Sequence, residues 1–420
     1  MSHKEPLLFL AHRIPYPPNK GDKIRSFHLL EYLSRHYEVH LGAFVDDVAD
    51  WRYADEVGRY CTRIKLVPLD RGLARVRSLR GLVSGDPLSL PFYQDRRMEA
   101  WVRSTLRRVR PGRVVVFSSS MAQYVPRELA PGARRVLDMV DVDSAKWTQY
   151  GRMQSGPMRW VFRREGQRLR EQERKAAADF DTTVLVTRPE LQLFAEAAPE
   201  SRQRLACVGN GVDVEYFAPS PQFRSPYPKD RPVLAFTGAM DYWANVDAVT
   251  WFASEVWPLL REQIPEALFY IVGARPTEPV RSLDNQPGIH VTGSVPDIRP
   301  YLAHAHGAVA PLRVARGIQN KVLEAMAMAR PVVATGAALD GLEALEGYPL
   351  QGEEPESLAR AAAAVLSGDC PVSGADLRAW VQAHYTWEAH LERFRALLEG
   401  EPWPECLAET ERDRSMEEAG

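Results

Sequence analysis

The chain of 420 residues is long enough for two or three domains, and 45% hydrophobic against 26% charged residues is typical of a globular protein. The formal net charge of −2 excludes a general charge attraction to nucleic acid, so no nucleic-acid partner is predicted. The four cysteines are isolated in sequence, which favours reduced thiols and predicts a cytoplasmic protein. No apolar run approaches the roughly 18 residues that a membrane-spanning helix needs.

In chain order, the first half alternates short apolar runs with helical patterns. These runs are LLFLA (7–11), EVHLGAF (38–44), VVVF (114–117), VLDMV (136–140) and TTVLVT (182–187). Such alternation predicts a parallel sheet with right-handed crossovers. Segment 218–232 then contains five prolines, which neither continue a helix nor donate within a sheet. It is predicted as an interdomain linker.

A second series of apolar runs follows the linker. It comprises VLAFTG (233–238), LFYIVG (268–273), IHVTG (289–293), GAVAPL (307–312) and RPVVATG (330–336). Most of these runs end in glycine, which lets the backbone approach a ligand at the carboxyl edge of a sheet. The sequence therefore predicts an α/β protein in which two doubly wound, Rossmann-like domains face each other across a cleft. The predicted segments are domains 1–217 and 233–385, a closing helix at 386–400 that packs on the first domain, and a disordered tail at 401–420.

Two charges stand near the start of an otherwise apolar helix that follows GAVAPL. Lys321 and Glu324 lie three residues apart, behind a loop that contains Gly317. Gly317 can adopt an unusual backbone angle that leaves amides facing outward, and a helix start favours a phosphate. Lys321 would add a full charge for the phosphate, and Glu324 would accept hydrogen bonds from ribose hydroxyls. A solvated surface pair worth tenths of a kcal/mol is the alternative that the spacing allows.

Segment NKVLEAMAMARPVVATG (320–336) resembles the signature of glycosyltransferase family 4, the retaining enzymes of the GT-B fold. Further landmarks resemble that family in the same order, namely NGVDVEYFAP (210–219), IHVTGSVPDIRPYLAHAHGAVAPL (289–312) and HYTWEAHLERF (384–394). Within the family, three segments are most similar to the sugar transferases associated with exosortase (PEP-CTERM) exopolysaccharide systems. These segments are AHRIPYPPNKGDKIRSFHLL (11–30), FTGAMDYWANVDAV (236–249) and GIQNKVLEAMA (317–327).

The resemblance implies transfer of a hexose-type unit, with retention, from a nucleotide-diphosphate sugar to a glycan or lipid-linked acceptor. Exopolysaccharide or cell-envelope glycan synthesis is the implied setting, and no metal or other cofactor is expected. Glu324, with Lys321, is the implied catalytic pair. The implied or chemically suited donor-binding residues are Arg316, Gly317, Ile318, Gln319, Asn320, Gly238, Val295, Gly21, Lys23 and Arg25.

The sequence departs from the family pattern at two places. Arg316 stands where the family has its first glutamate, so recognition of the donor sugar is expected to differ. The family also carries an arginine and a lysine after the first strand of the second domain, and segment 239–249 has neither. Lys321, Arg313 or Arg316 is therefore expected to neutralise the diphosphate.

Three residues of the first domain are candidates for the acceptor side. Asp141 and Lys146 follow an apolar run, and Ser119 follows another. The motif DVD (141–143) also allows a metal-binding interpretation, but a strand end with a helix cap is the simpler one, and no metal site is predicted. Capping of a helix is likewise the simpler role for Ser119.

Three arginine-rich stretches lie in the first domain, at 71–81, 96–113 and 159–175. Arginines interleaved with Trp101 and Trp160 favour peripheral contact with an anionic membrane, such as the inner face of the plasma membrane. Solvated helical faces that pair with nearby glutamates are the alternative.

Two other functions remain open from the sequence. One is a sugar-nucleotide epimerase of the same fold, which would need acid–base groups at the anomeric carbon. The other is a non-catalytic GT-B-like binding protein, which the departure at Arg316 favours.

Overall fold

The structure is a computed structural model that describes residues 4–18, 21–153, 155–315, 317–342, 345 and 347–401, without the Met153 side chain. Arg316 and the predicted tail from residue 402 onward lie outside the described residues. The chain divides into two compact units. Unit 1 comprises Met1–Gly209 with His390–Gly420, and unit 2 comprises Asn210–Ala389.

Unit 1 contains a seven-stranded sheet in the order β3-β2-β1-β4-β5-β6-β7, and every pairing is parallel. Its strands are β1 (Glu5–Ala11), β2 (Tyr37–Val45), β3 (Arg63–Pro68), β4 (Arg113–Phe117), β5 (Arg134–Val140), β6 (Thr182–Leu185) and β7 (Leu205–Cys207). Its helices are α1 (Gly21–His36), α2 (Ala54–Gly58), α3 (Arg71–Ser78), α4 (Arg80–Ser84), α5 (Ser89–Phe92), α6 (Arg96–Arg108), α7 (Asp143–Met153), α8 (Gly156–Asp179) and α9 (Arg188–Ala197).

Unit 2 contains a five-stranded parallel sheet in the order β10-β9-β8-β11-β12. Its strands are β8 (Val233–Thr237), β9 (Leu268–Val272), β10 (Ile289–Gly293), β11 (Gly307–Ala310) and β12 (Val332–Ala334). Its helices are α10 (Trp243–Trp251), α11 (Trp257–Gln263), α12 (Glu278–Arg281), α13 (Arg299–His304), α14 (Asn320–Ala327), α15 (Gly336–Leu339), α16 (Pro355–Ser367) and α17 (Gly374–His384). The last helix, α18 (Trp387–Glu399), enters unit 1 from His390 onward.

Each of the ten apolar runs of the sequence contains or overlaps a strand, so the predicted pair of doubly wound sheets is confirmed. The central strands of both sheets are buried, as expected for parallel sheets, which helices normally cover on both faces. The proline-rich segment 218–232 groups with unit 2, where Tyr227 is buried and donates to the Tyr301 carbonyl at 2.7 Å. Within the described ranges, no helix has both the length and the apolar character required to cross a bilayer.

Candidate functional site

In the unit 2 sheet, the direction in which successive strands are added reverses between β8 and β11. Strand β8 pairs with β9 on one side and with β11 on the other. Connections therefore leave the sheet in opposite directions at the β8–β11 boundary, which is where doubly wound sheets bind ligands. The loop after β11 and the start of α14 lie at this boundary.

The loop before α14 leaves backbone amides available. Gly317 has φ +67°, the left-handed angle that the sequence predicted for it. The Ile318 side chain is buried in the core and anchors the loop. Gly341 closes against this loop, because a Cβ there would lie 3.0 Å from the Gly317 carbonyl oxygen. The amides of Gly317 and Ile318 donate no hydrogen bond to any residue in the described part of the chain.

The first residues of α14 add polar groups to the same place. Gln319 is the residue before the helix, and its Nε2 donates to the Gly317 carbonyl at 3.2 Å. The Oδ1 atom of Asn320 is buried and has no hydrogen-bond partner among the described residues. A buried acceptor without a partner costs free energy unless a ligand or water satisfies it.

Lys321 extends from α14 to the end of β8. Its Nζ donates to Oδ1 of Asn245 at 2.5 Å and lies 4.1 Å from the centre of the Phe236 ring. The other Asn245 amide atom, Nδ2, donates to the Ala239 carbonyl at 2.9 Å, which fixes the orientation of the amide. Gly238 leaves space for that amide, since a Cβ on Gly238 would lie 2.7 Å from Nδ2. The ammonium is therefore held at the carboxyl end of β8.

Lys321 and Glu324 titrate close to neutrality. Burial lowers the pKa of Lys321 to about 7, and the Glu324 charge opposes that shift only in part. Burial raises the pKa of Glu324 to about 7, and the Lys321 charge again opposes the shift. The Glu324 side chain makes no hydrogen bond with any residue that the structure describes. These properties differ from those of an exposed surface pair, in which both groups stay charged.

The other cations near this edge are paired with carboxylates. Arg313, which the sequence offered as a phosphate partner, donates from Nε to Asp247 at 3.0 Å and lies over the Trp251 ring. Arg275 follows β9 and donates to Asp241 at 2.5 Å. The remaining sequence candidate, Arg316, is outside the described residues. Lys321, in contrast, forms no ion pair with a carboxylate among the residues described here, and its hydrogen-bond partner is the Asn245 amide.

The predicted base-contact position lies past the end of β10. Val295 is half-buried, and its amide donates no hydrogen bond to a described residue. Gly293, two residues earlier, has φ +67°. The Val295 amide is therefore available to a ligand, and contact of this residue with a nucleotide base stays a prediction.

The unit 1 cations that the sequence offered for the diphosphate have internal partners. Lys23 is 2% exposed and donates to Asp50 at 2.6 Å. Arg25 is 1% exposed and donates to the fully buried Asp138 at 2.8 Å. Gly21 is the first residue of α1. Withdrawing either cation toward a ligand would leave a buried carboxylate unpaired, so both serve the interior of unit 1 in this structure.

The acceptor-side candidates of unit 1 are only partly accessible. Lys146 donates to Asp141 at 2.7 Å and to Asp143 at 3.4 Å. Burial acts against the Lys146 charge, but the two carboxylates outweigh it and raise its pKa. Ser119 is 3% exposed, which leaves little of it for a substrate to contact.

Two buried carboxylates that the sequence analysis missed hold the segment after β5. Glu190 accepts from the Val142 amide at 2.7 Å, and Glu173 accepts from the Ser144 amide at 3.0 Å. Burial raises the pKa of Glu173 to about 8. Val140, at the end of β5, has φ +72°, a strained angle for a β-branched residue. The burial of Glu173 could have been predicted from its position on the apolar face of α8.

A second cluster that the sequence analysis missed lies at the ends of β1 and β2. Asp22 contacts His12 Nε2 at 3.2 Å and Arg13 Nη1 at 2.8 Å, and Arg13 Nε lies 2.9 Å from Asp46. Burial opposes ionisation, but His12 and Arg13 hold the pKa of Asp22 well below its ordinary value. The His12 ring stacks on Phe117. In the sequence, this cluster could have been suspected from a histidine and an arginine that directly follow the first apolar run.

The described residues contain no group of three or more His, Cys, Asp and Glu side chains arranged to hold a metal ion. Among the cysteines, Cys61, Cys207 and Cys370 are free thiols.

Residues 231–368 match the sequence profile of the family described as Glycosyl transferases group 1. The match covers most of unit 2, including the loop before α14, Lys321 and Glu324. The matched segment is about a third of the chain, so it shows a likeness of unit 2 to this family. No curated protein matches this chain at a significant level.

Solved structures resemble the GT-B chain over almost its whole length. Anabaena Alr3699/HepE in complex with UDP has a TM-score of 0.65 and 12% identity, covering 94% of this chain and 100% of its own. WaaG, a glycosyltransferase involved in lipopolysaccharide biosynthesis, has a TM-score of 0.63 and 16% identity, with the same coverage. A glycosyltransferase from Rickettsia africae has a TM-score of 0.58 and 12% identity, covering 94% and 98%. At these identities the likeness shows the fold, which is GT-B.

Proposed function

We propose that the protein transfers a hexose-type sugar, with retention, from a nucleotide-diphosphate sugar to a glycan or lipid-linked acceptor. Exopolysaccharide or cell-envelope glycan synthesis is the proposed setting, as for the family 4 enzymes that the sequence resembles. The observation that carries the proposal is the group formed by the Gly317–Ile318 amides, Lys321 and Glu324 at the strand-order reversal of unit 2.

Each part of this group fits one part of the donor. The free amides and the α14 start suit the diphosphate, because they present partial positive charge without needing to reorganise. Lys321 adds a full charge where negative charge develops on the departing diphosphate. Glu324, which makes no hydrogen bond with a described residue, suits the ribose hydroxyls. Arg316 is proposed to change recognition of the donor sugar, since it replaces a carboxylate of the family pattern.

A uridine nucleotide is the first donor to test. HepE, which shares the fold, has been solved with UDP and with UDP-glucose. Asp141 and Lys146 remain candidates for acceptor contact in unit 1. Peripheral contact of unit 1 with an anionic membrane at the cytoplasmic face belongs to the same proposal, because a lipid-linked acceptor would be presented there.

The test is a comparison of Glu324→Ala with Glu262→Ala, an exposed glutamate of α11 in the same unit. Loss of the hydrogen bonds that the ribose hydroxyls would donate to the Glu324 carboxylate should weaken UDP-glucose binding about tenfold or more, at about 1.5–3 kcal/mol for each bond. The Glu262→Ala control should bind as the parent does. Binding can be followed as ligand-induced thermal stabilisation, and turnover as UDP release with a glycan or lipid acceptor.

Three results would count against the proposal. Equal turnover by Glu324→Ala and the parent would remove the role of this carboxylate. Formation of an epimer from a nucleotide sugar without acceptor would favour the epimerase. Absence of stabilisation by any common nucleotide sugar would favour a non-catalytic binding protein.

A further inference from the structure

Helices α3 and α4 of unit 1 turn their large apolar side chains to solvent and their small residues to the protein. The exposed fractions are 69% for Leu73, 67% for Val76 and 92% for Val83. On the opposite face, Ala74, Ser78 and Gly81 are buried. An amphipathic helix of a globular protein normally has the reverse arrangement. The apolar face of α3 and α4 therefore has no cover within the described chain.

The first turns of α8 continue this face. Arg164 donates from Nη2 to the Gly81 carbonyl at 2.5 Å, and Glu165 accepts from the Leu88 amide at 2.8 Å. These bonds hold the start of α8 against α4 and the loop after it. Met158 and Trp160 on this part of α8 are 48% and 63% exposed. We call the combined exposed faces of α3, α4 and residues 156–167 the α3–α4–α8 surface.

Arginines without an anionic partner lie among these apolar residues. The guanidinium groups of Arg75, Arg80, Arg159 and Arg163 are exposed and form no ion pair or hydrogen bond with a residue in the described ranges. The nearest carboxylate on α8, that of Glu165, is buried and occupied by backbone amides. The solvated-face alternative from the sequence, in which such arginines pair with glutamates, does not describe these four residues.

A shallow depression along α8 brings some of these arginines together. It is lined by Gly156, Arg159, Trp160, Arg163, Arg164 and Gln167. Guanidinium groups beside an exposed indole match a phosphate headgroup at the boundary with acyl chains, because the indole ring prefers that boundary.

We propose that the α3–α4–α8 surface docks unit 1 on an anionic lipid bilayer. The apolar side chains would enter the headgroup–acyl boundary, while the arginines contact lipid phosphates. Charge selects this occupant, since a neutral or basic protein partner would leave four guanidinium groups uncompensated. The inference assigns a surface to the membrane contact in the proposed function, and it does not depend on which sugar is transferred.

The arginine-rich stretch at 96–113 does not belong to this surface. In α6 the apolar residues Met98 and Val102 are buried, and Arg103 pairs with Glu99 at 3.0 Å. This helix has the ordinary arrangement, with an apolar inner face and a charged outer face. It therefore supplies control substitutions within the same unit.

The test is cosedimentation of the full chain with vesicles of phosphatidylglycerol and phosphatidylcholine, compared with vesicles of phosphatidylcholine alone. We expect binding to the anionic vesicles that weakens as salt rises. Arg159→Gln with Arg163→Gln should weaken binding about 30-fold, since each cation near the headgroups contributes about fivefold. Arg103→Gln with Arg107→Gln should leave binding unchanged.

A matched pair of valines tests the apolar part. Val83→Ser should weaken vesicle binding roughly fivefold, whereas Val48→Ser, at a residue 87% exposed elsewhere in unit 1, should have no effect. Unchanged melting temperatures and UDP-glucose stabilisation would show that each variant is folded, and would separate this inference from the proposed transfer reaction.

The inference is overturned if the protein ignores anionic vesicles, if it binds pure phosphatidylcholine equally well, or if both valine variants behave alike. A dimer in solution that Val83→Ser dissociates, without vesicle binding, would instead assign the surface to a second copy of the chain.

Discussion

Donor binding should weaken as the pH rises from 6 to 8, because Lys321 loses its proton in this range. Its pKa is lowered to about 7 by burial. A bound diphosphate favours the ammonium form, so the donor binds the protonated protein more tightly than the neutral one. UDP-glucose is the suitable ligand, since its diphosphate is esterified at both ends and does not titrate in this range.

The magnitude follows from the fraction of charged Lys321. With a pKa of about 7, roughly nine-tenths of the molecules carry the ammonium at pH 6 and roughly one-tenth at pH 8. Glu324 ionises in the same range and would act in the opposite sense, so the measurement is made on Glu324→Gln. If only the charged form of Lys321 binds well, the Kd of this variant should rise about tenfold between these pH values. Proton uptake on binding should approach about one proton at pH 8, as linkage requires.

Isothermal titration calorimetry in two buffers of different ionisation enthalpy measures both quantities. Lys321→Met should bind more weakly than the parent at pH 6 and show little change with pH. A Kd for Glu324→Gln that stays constant from pH 6 to 8, with no proton uptake, would refute this role for Lys321. An equal pH dependence in Lys321→Met would assign the titration to another group.

Three other substitutions test a hydrogen bond, a backbone angle and a buried carboxyl group. Asn245→Ala removes the acceptor that holds the Lys321 ammonium, and UDP-glucose affinity should fall roughly tenfold in titration calorimetry. Ala329→Gly should raise the free energy of unfolding by about 1 kcal/mol in urea denaturation, because Ala329 has φ +57°; an unchanged or lower value would contradict the strain. Glu173→Gln should stabilise the protein at pH 9 and not at pH 4. Burial raises the Glu173 pKa from 4.5 to about 8, so the folded state loses stability as pH rises through this range while the unfolded chain ionises freely. Thermal melts at the two pH values would show no such difference if Glu173 titrates normally.

The central strands were predictable from sequence because a strand buried on both faces is a continuous apolar run. The two strands that the sequence analysis missed, β3 and β7, are the edges of the unit 1 sheet. Much of β3 is half-buried or exposed, and β7 has only three residues. Edge strands bury less surface, so their sequences contain a weaker apolar signal.

Contacts between residues far apart in sequence decide which polar groups remain available to bind a ligand. The spacing of Lys321 and Glu324 is local and was informative. The Asn245 partner of Lys321 lies 76 positions away, and no local pattern connects the two. The cations Lys23 and Arg25 looked similar to Lys321 in sequence, yet Asp50 and Asp138 pair with them inside unit 1. Composition identifies a cation, but only the packing shows whether a carboxylate already neutralises it.

The departure from the family pattern after the first strand of unit 2 has a physical consequence at the edge of that sheet. Where the family has cations after the first strand of its second domain, this chain has Asn245, which binds a lysine from α14. An arginine at that place would stay charged at any pH that the protein tolerates. Lys321 lies over the Phe236 ring and donates to an amide, and burial lowers its pKa. We infer that this source of the cation would make the proposed diphosphate site sensitive to pH near neutrality, which a site lined by arginines would not be.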